Sequence, residues 1–123
     1  MVRLVIPISR ARGFHSEIAS KAGEIRQLAV VDLGYTGALE EIGFVDTSNL
    51  HPNFLPEVFL ELEPDAILAN PLDDDAVIMM LENGVVALEG DCKTLKDAIR
   101  AYLSGSLIPL IPWSDYDLER PTN

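Results

Sequence analysis

The chain has 123 residues, 48% of them apolar and 7% aromatic, which suits one domain with one core and excludes a disordered composition. Its formal net charge is −11, unevenly spread: residues 1–26 carry a net +3 and residues 27–123 a net −14. That balance argues against DNA or RNA as partner, because nucleic acid is recognised through a basic footprint. No apolar run reaches the roughly 20 residues of a membrane span, and Met1–Pro7 lacks the apolar length of a signal peptide, so no membrane association and a cytoplasmic location are expected. The lone Cys92 excludes an intrachain disulfide framework and a multi-cysteine zinc site.

Val2–Ile8 is nearly continuously apolar, as a strand covered on both faces is. Pro7 has no N–H to donate, so pairing is expected to fade there. Ser9–Gly13 leaves the strand as a loop. Phe14–Gly23 reads two ways: a short helix capped by Ser16 and ended by Gly23, or a long loop. Gln27–Leu33 and Ala38–Asp46 predict an antiparallel hairpin around Gly34-Tyr-Thr-Gly37. Glu40 and Glu41 suit an edge strand, and Gly43 suggests a bulge.

Asn53 is the expected cap of a first helix, with Phe54, Leu55, Val58, Phe59 and Leu62 at helical spacing. The centre of the chain is Glu63–Gly105. Two short apolar runs, Ala66–Ala69 and Val85–Leu88, are bounded by turn residues and joined by a segment long enough for a crossover helix, which predicts a parallel pair. Asp73 caps that helix, with Asp74 and Asp75 in its first turn and Ala76, Val77, Met80 and Leu81 facing inward. Thr94 and Asp97 form a capping box for a third helix, whose inner face is Leu95, Ala98, Ile99, Tyr102 and Leu103 and which Gly105 ends. Residues 106–123, apolar and rich in proline, read as an arm after a single domain over 1–105, packed on the domain, a partner protein or a second copy.

Ligands of open α/β sheets sit beyond the carboxyl ends of the strands. The residues to watch there are Asn70, Asp73, Asp74, Asp75, Asp91, Cys92, Lys93 and Thr94. A thiolate at Cys92 would be favoured by the helix amino terminus and by Lys93, and would suit a soft metal with His15 as second ligand. Arg10, Arg12 and Lys21 form a candidate anion site. His51 reads as a surface loop residue. The aspartates, with Asp91, are candidate ligands of a hard cation in a hydrolase, although helix capping explains them too.

Leu4-Val-Ile-Pro-Ile, Leu28-Ala-Val-Val-Asp32, Pro64-Asp-Ala-Ile-Leu-Ala, Ala76-Val-Ile-Met-Met-Leu-Glu-Asn-Gly-Val-Val and Thr94-Leu-Lys-Asp-Ala-Ile-Arg-Ala-Tyr-Leu-Ser-Gly together resemble a known family. It is the dinitrogenase iron–molybdenum cofactor biosynthesis group: NifX-like proteins, the carboxy-terminal part of NifB and nitrogenase accessory factors. The resemblance covers about residues 2–107. It implies a ribonuclease H-like motif in three α/β/α layers, with a five-stranded mixed sheet of order 3-2-1-4-5 and the second strand antiparallel. It also implies a non-catalytic accessory or carrier protein for an iron–sulfur or iron–molybdenum cluster, a small anion or a partner protein. Members carry a His-Phe-Gly near the second strand; by register it falls on Lys21-Ala22-Gly23, where only the glycine is kept. Their glycine-rich loop after the fourth strand is replaced by Asn70–Asp75. The alternative expectation is therefore an interaction protein that has lost the cluster.

Overall fold

The computed structural model describes residues 1–110; the rest of the expected arm, 111–123, lies outside the described residues. The chain is an α/β protein with three α-helices and a mixed sheet of seven strands. The strands are β1 (Val2–Arg10), β2 (Glu17–Ile18), β3 (Gln27–Leu33), β4 (Leu39–Asp46), β5 (Ala66–Leu68), β6 (Val86–Glu89) and β7 (Ile108–Pro109). The helices are α1 (Leu55–Glu61), α2 (Asp74–Glu82) and α3 (Leu95–Ser104). The sheet runs β4-β3-β1-β5-β6-β7, with β2 also pairing β1. β1 is antiparallel to β3 and parallel to β5, and β5 is parallel to β6.

Side chains alternate across the sheet, so β1 supplies both cores. Leu4, Ile6 and Ile8 pack on one face with Ala29, Val31, Leu68 and the inner residues of α3, Leu95, Ala98 and Ile99. Val5 packs on the other with Leu28, Ile67, Leu55 and Phe59 of α1, and Val77 and Met80 of α2. The result is three layers, with α3 on one side and α1 and α2 on the other.

The sheet is larger than the five strands expected, because two strands of only two residues each carry no periodicity of their own. β7 is the start of the expected arm: Leu107 is buried and Leu110 N donates to Ala87 O at 2.7 Å. β2 falls in Phe14–Gly23, which is neither of the alternatives expected there. Ser16 caps no helix. It is fully buried, accepts a hydrogen bond from Arg12 N (2.7 Å) and donates to Gly13 O (2.6 Å), closing a turn in which Gly13 has φ +58°.

Pairing does not fade at Pro7, since β1 continues against β3 through Ile8. Pro7 O accepts from Ala19 N at 3.1 Å, so the backbone of Pro7 faces β2 and the β3 ladder never uses the missing N–H. The bulge of the hairpin lies at Asp32–Leu33 opposite Leu39–Glu41, and Gly43 sits in regular register opposite Val30. Asn53 caps nothing: residues 52–54 form a 3-10 turn whose cap is His51, with Nδ1 accepting from Asn53 N at 3.2 Å. The caps of α2 and α3 are as expected, Asp73 Oδ1 accepting from Ala76 N and Thr94 and Asp97 exchanging both bonds of a capping box. Leu81 and Leu103 are exposed, not inward.

Candidate functional site

β1 and β5 are parallel neighbours whose onward connections go opposite ways, β1 to the hairpin and β5 to β6. That is a switch point, and a cleft is expected outside the strand ends there. A cleft of about 500 Å³ lies at this place, lined by Ser9, residues 17–20, Asn70 and residues 90–93.

Asn70 and Gly90 hold the two strand-end loops together. Asn70 Nδ2 donates to Gly90 O at 2.7 Å, and Gly90 N donates back to Asn70 Oδ1 at 3.1 Å. The amide is thus committed on both sides to the backbone, and Asn70 shapes the cleft more than it offers a ligand. A Cβ at position 90 would stand 2.5 Å from Leu107 Cδ2, so any larger residue there would displace the Leu107 side chain.

Cys92 lies on the cleft wall, half-buried, as the sole cysteine of the chain. The expectation of a favoured thiolate is wrong. Burial pushes its thiol up from the ordinary value, and Asp97 and Asp91 push it further in the same direction. The helix terminus does not compensate, because its amides are occupied. Leu95 N donates to Ser16 O (2.9 Å), Lys96 N to Phe14 O (3.0 Å) and Asp97 N to Thr94 Oγ1 (3.3 Å). The Phe14–Ser16 turn is in effect a backbone cap on α3, leaving little positive potential for an anion.

The other sequence candidates fall outside the cleft. Arg10, Arg12, His15 and Lys21 are exposed and none lines it. Arg10 stands opposite Glu17 in the β1–β2 register. His15 is not brought to the cleft wall beside Cys92. Asp73 and Asp75 border a separate hollow of about 290 Å³ between the starts of α1 and α2, whereas Asp91 lies on the cleft. The four aspartates therefore do not share one site. Among the described residues no three of His, Cys, Asp and Glu converge to hold a metal ion.

Ser9 was missed as a wall residue, while Glu17, Ser20 and Gly90 lie in the segments 10–23 and 90–94 expected to frame the site but were not singled out. Ser9 carried a signal, being the first polar residue after the β1 run. Glu17 and Ser20 carried none, because their segment is ordered by others: Ile18 N donates to Lys93 O at 3.0 Å.

No family model matches the chain, and no curated protein matches it. Solved structures do. The crystal structure of PH0822 superposes with a TM-score of 0.75 at 21% identity, covering 91% of this chain and 99% of that one. The NMR structure of a Thermotoga protein named as a candidate NifB of the DUF35 family gives 0.71 at 16% identity, covering 89% and 94%. The apo form of the orange protein of Desulfovibrio gigas gives 0.70 at 19% identity, covering 89% and 93%. The chain has the fold of the dinitrogenase iron–molybdenum cofactor biosynthesis group, as its resemblance implied. At these identities the likeness is one of fold.

Proposed function

We propose that this protein is a non-catalytic accessory or carrier protein whose cargo is a small metal-containing cofactor, of the iron–sulfur or iron–molybdenum class, received in the cleft at the ends of β1, β5 and β6. The observation that carries this reading is the cleft itself. It is open, preformed, placed at the switch point, and walled by hydroxyls, Lys93 and the sole thiol of the chain. A NifB-named protein with the same fold supports the class of cargo. The order of the five long strands supports the ribonuclease H-like reading of the domain.

One thiol cannot close a metal site, so the cargo arrives as a preassembled unit and is held by shape, hydrogen bonds and Lys93, with Cys92 as the soft contact. Cys92 would bind as the thiolate, releasing its proton to solvent, so uptake improves as pH rises. Anaerobic incubation with a preassembled iron–sulfur cluster, supplied as a synthetic thiolate-ligated complex, tests this. The wild-type chain should take up colour. Ser20→Trp, at an exposed wall position, should fill the cleft and abolish uptake without touching the core. Equal uptake by both proteins would remove the cleft from the account.

A second reading is favoured by one observation, the absence of three converging metal donors among the described residues, together with Lys21-Ala22-Gly23 where the family carries its histidine motif. On that reading the chain keeps the fold as an interaction protein, and partner binding replaces cargo.

A further inference from the structure

We propose that the outer edge of β4 is a docking site for an extended, basic segment of a partner protein, which adds to the sheet as an eighth strand. This goes beyond the cleft reading and does not depend on it.

The two edges of the sheet are treated differently. The β6 edge is covered by β7, which includes Pro109 and is continued by the Leu110–Ala87 bond. The β4 edge runs eight residues, Leu39–Asp46, and among the described residues no strand pairs its outer side. From Glu41 to Asp46 it is in unbroken register with β3. Thr47 N donates to Arg26 O at 2.9 Å, so by alternation Val45 and Gly43 turn their backbone groups to β3. Ile42, Phe44 and Asp46 turn theirs outward. A long, regular edge with open donors and acceptors is a template for another strand.

The side chains state what that strand must be. Ile42 packs partly on the α3-side core and Phe44 beside it is 39% exposed, so an incoming strand finds an apolar row there. Leu103 of α3, 50% exposed, comes up against Gly37 in the hairpin turn and lies on the same side. Around this row stand Glu40, Glu41 and Asp46, with no cation on the strand. One full-length register of a second copy is disfavoured by those charges. Antiparallel pairing about a two-fold at Gly43 would set Glu40 opposite Asp46 twice, and like charges directly opposite destabilise a strand pair. A strand with apolar residues over Ile42 and Phe44 and basic residues toward its two ends meets the row with apolar contact and the flanking carboxylates with charge.

The test uses the full chain, a capped decapeptide with central valines flanked by lysines at both ends, and the same peptide with glutamate for lysine. Backbone NMR and amide exchange should show the lysine peptide shifting and protecting Ile42, Phe44 and Asp46. It should bind at least about tenfold more tightly than the glutamate peptide. Phe44→Pro removes one outward N–H and leaves the β3 ladder, and should abolish binding. The double variant Glu40→Lys, Glu41→Lys should keep the fold and reverse the preference between peptides. Equal binding of both peptides by the wild type, or shifts away from β4, would overturn the proposal. So would outward amides of Ile42, Phe44 and Asp46 already protected in the peptide-free chain, or a dimer by sedimentation that Phe44→Pro dissolves, because the edge would then be occupied by the chain itself or by a second copy.

Discussion

At the scale of single residues, polar side chains here act on the backbone or on each other before they face any ligand. Asp32, almost fully buried, receives Arg3 Nε at 2.8 Å and Nη2 at 3.2 Å, while Arg3 Nη1 reaches Leu62 O at 2.8 Å. The Arg3 hydrogen bond holds the Asp32 carboxyl below its ordinary value, against the opposing effect of burial. A depressed folded-state value means stability that is present above the unfolded carboxylate range, near pH 4, and lost as pH falls through the lower folded value. Asp32→Asn should therefore lose about 1–2 kcal/mol at neutral pH, less than a sealed pair because the Arg3 side chain is 37% exposed. It should also flatten the acid limb of a urea-midpoint-against-pH curve; an unchanged limb would remove the pair from the account. Cys92 gives the opposite sign. Its raised value keeps it a thiol at neutral pH, so alkylation should be slow at pH 7 and accelerate only toward and above the ordinary thiol range. Rapid labelling at pH 7 would contradict the burial and the two aspartates as causes. Arg3–Asp32 was invisible in the sequence, because its partners lie 29 residues apart and only the β1–β3 register brings them together.

At the scale of elements, local signals were read well where they are local. The capping box of α3, the Asp73 cap of α2 and the glycine at +73° that ends α3 rest on residues three or four positions apart, and all were legible. What failed was structure created by distant pairing. β2 exists because Ile8 and Lys93 bracket it, and the Phe14–Ser16 turn exists because α3 needs its first amides satisfied. The same reason explains the candidate site. Loop positions after β5 and β6 were legible from strand order, so Asn70 and Cys92 were placed at the cleft, whereas Arg10, Arg12, His15 and Lys21 were drawn toward it by charge and chemistry alone. Two element-scale outcomes are expected. Thr94→Ala should cost about 1 kcal/mol in denaturant unfolding by leaving the Asp97 amide unpaired. Asn70→Ala should cost about 1–2 kcal/mol by removing both bonds to Gly90, and should raise amide exchange at Gly90. Asn70→Ala exchange no faster than wild type would show that the clamp does not hold the loops.

At the scale of the whole molecule, whose net charge is −11, the two proposed functions rest on two surfaces of different character. The cleft is open, largely polar and built from strand ends, suited to small cargo. The β4 edge is long, with an apolar centre flanked by carboxylates, suited to a polypeptide. No helix among the described residues is long and apolar enough to cross a membrane. On the proposed carrier reading, one surface would hold the cargo and the other would meet the protein that receives it. The measurement that tests the central claim most directly is iron, molybdenum and sulfide analysis of the native protein purified without oxygen, with its visible spectrum. The account predicts stoichiometric metal and sulfide, a charge-transfer band, and loss of both in Ser20→Trp. A colourless, metal-free wild-type chain that also takes up nothing on reconstitution would contradict it, and would leave the fold as an interaction module.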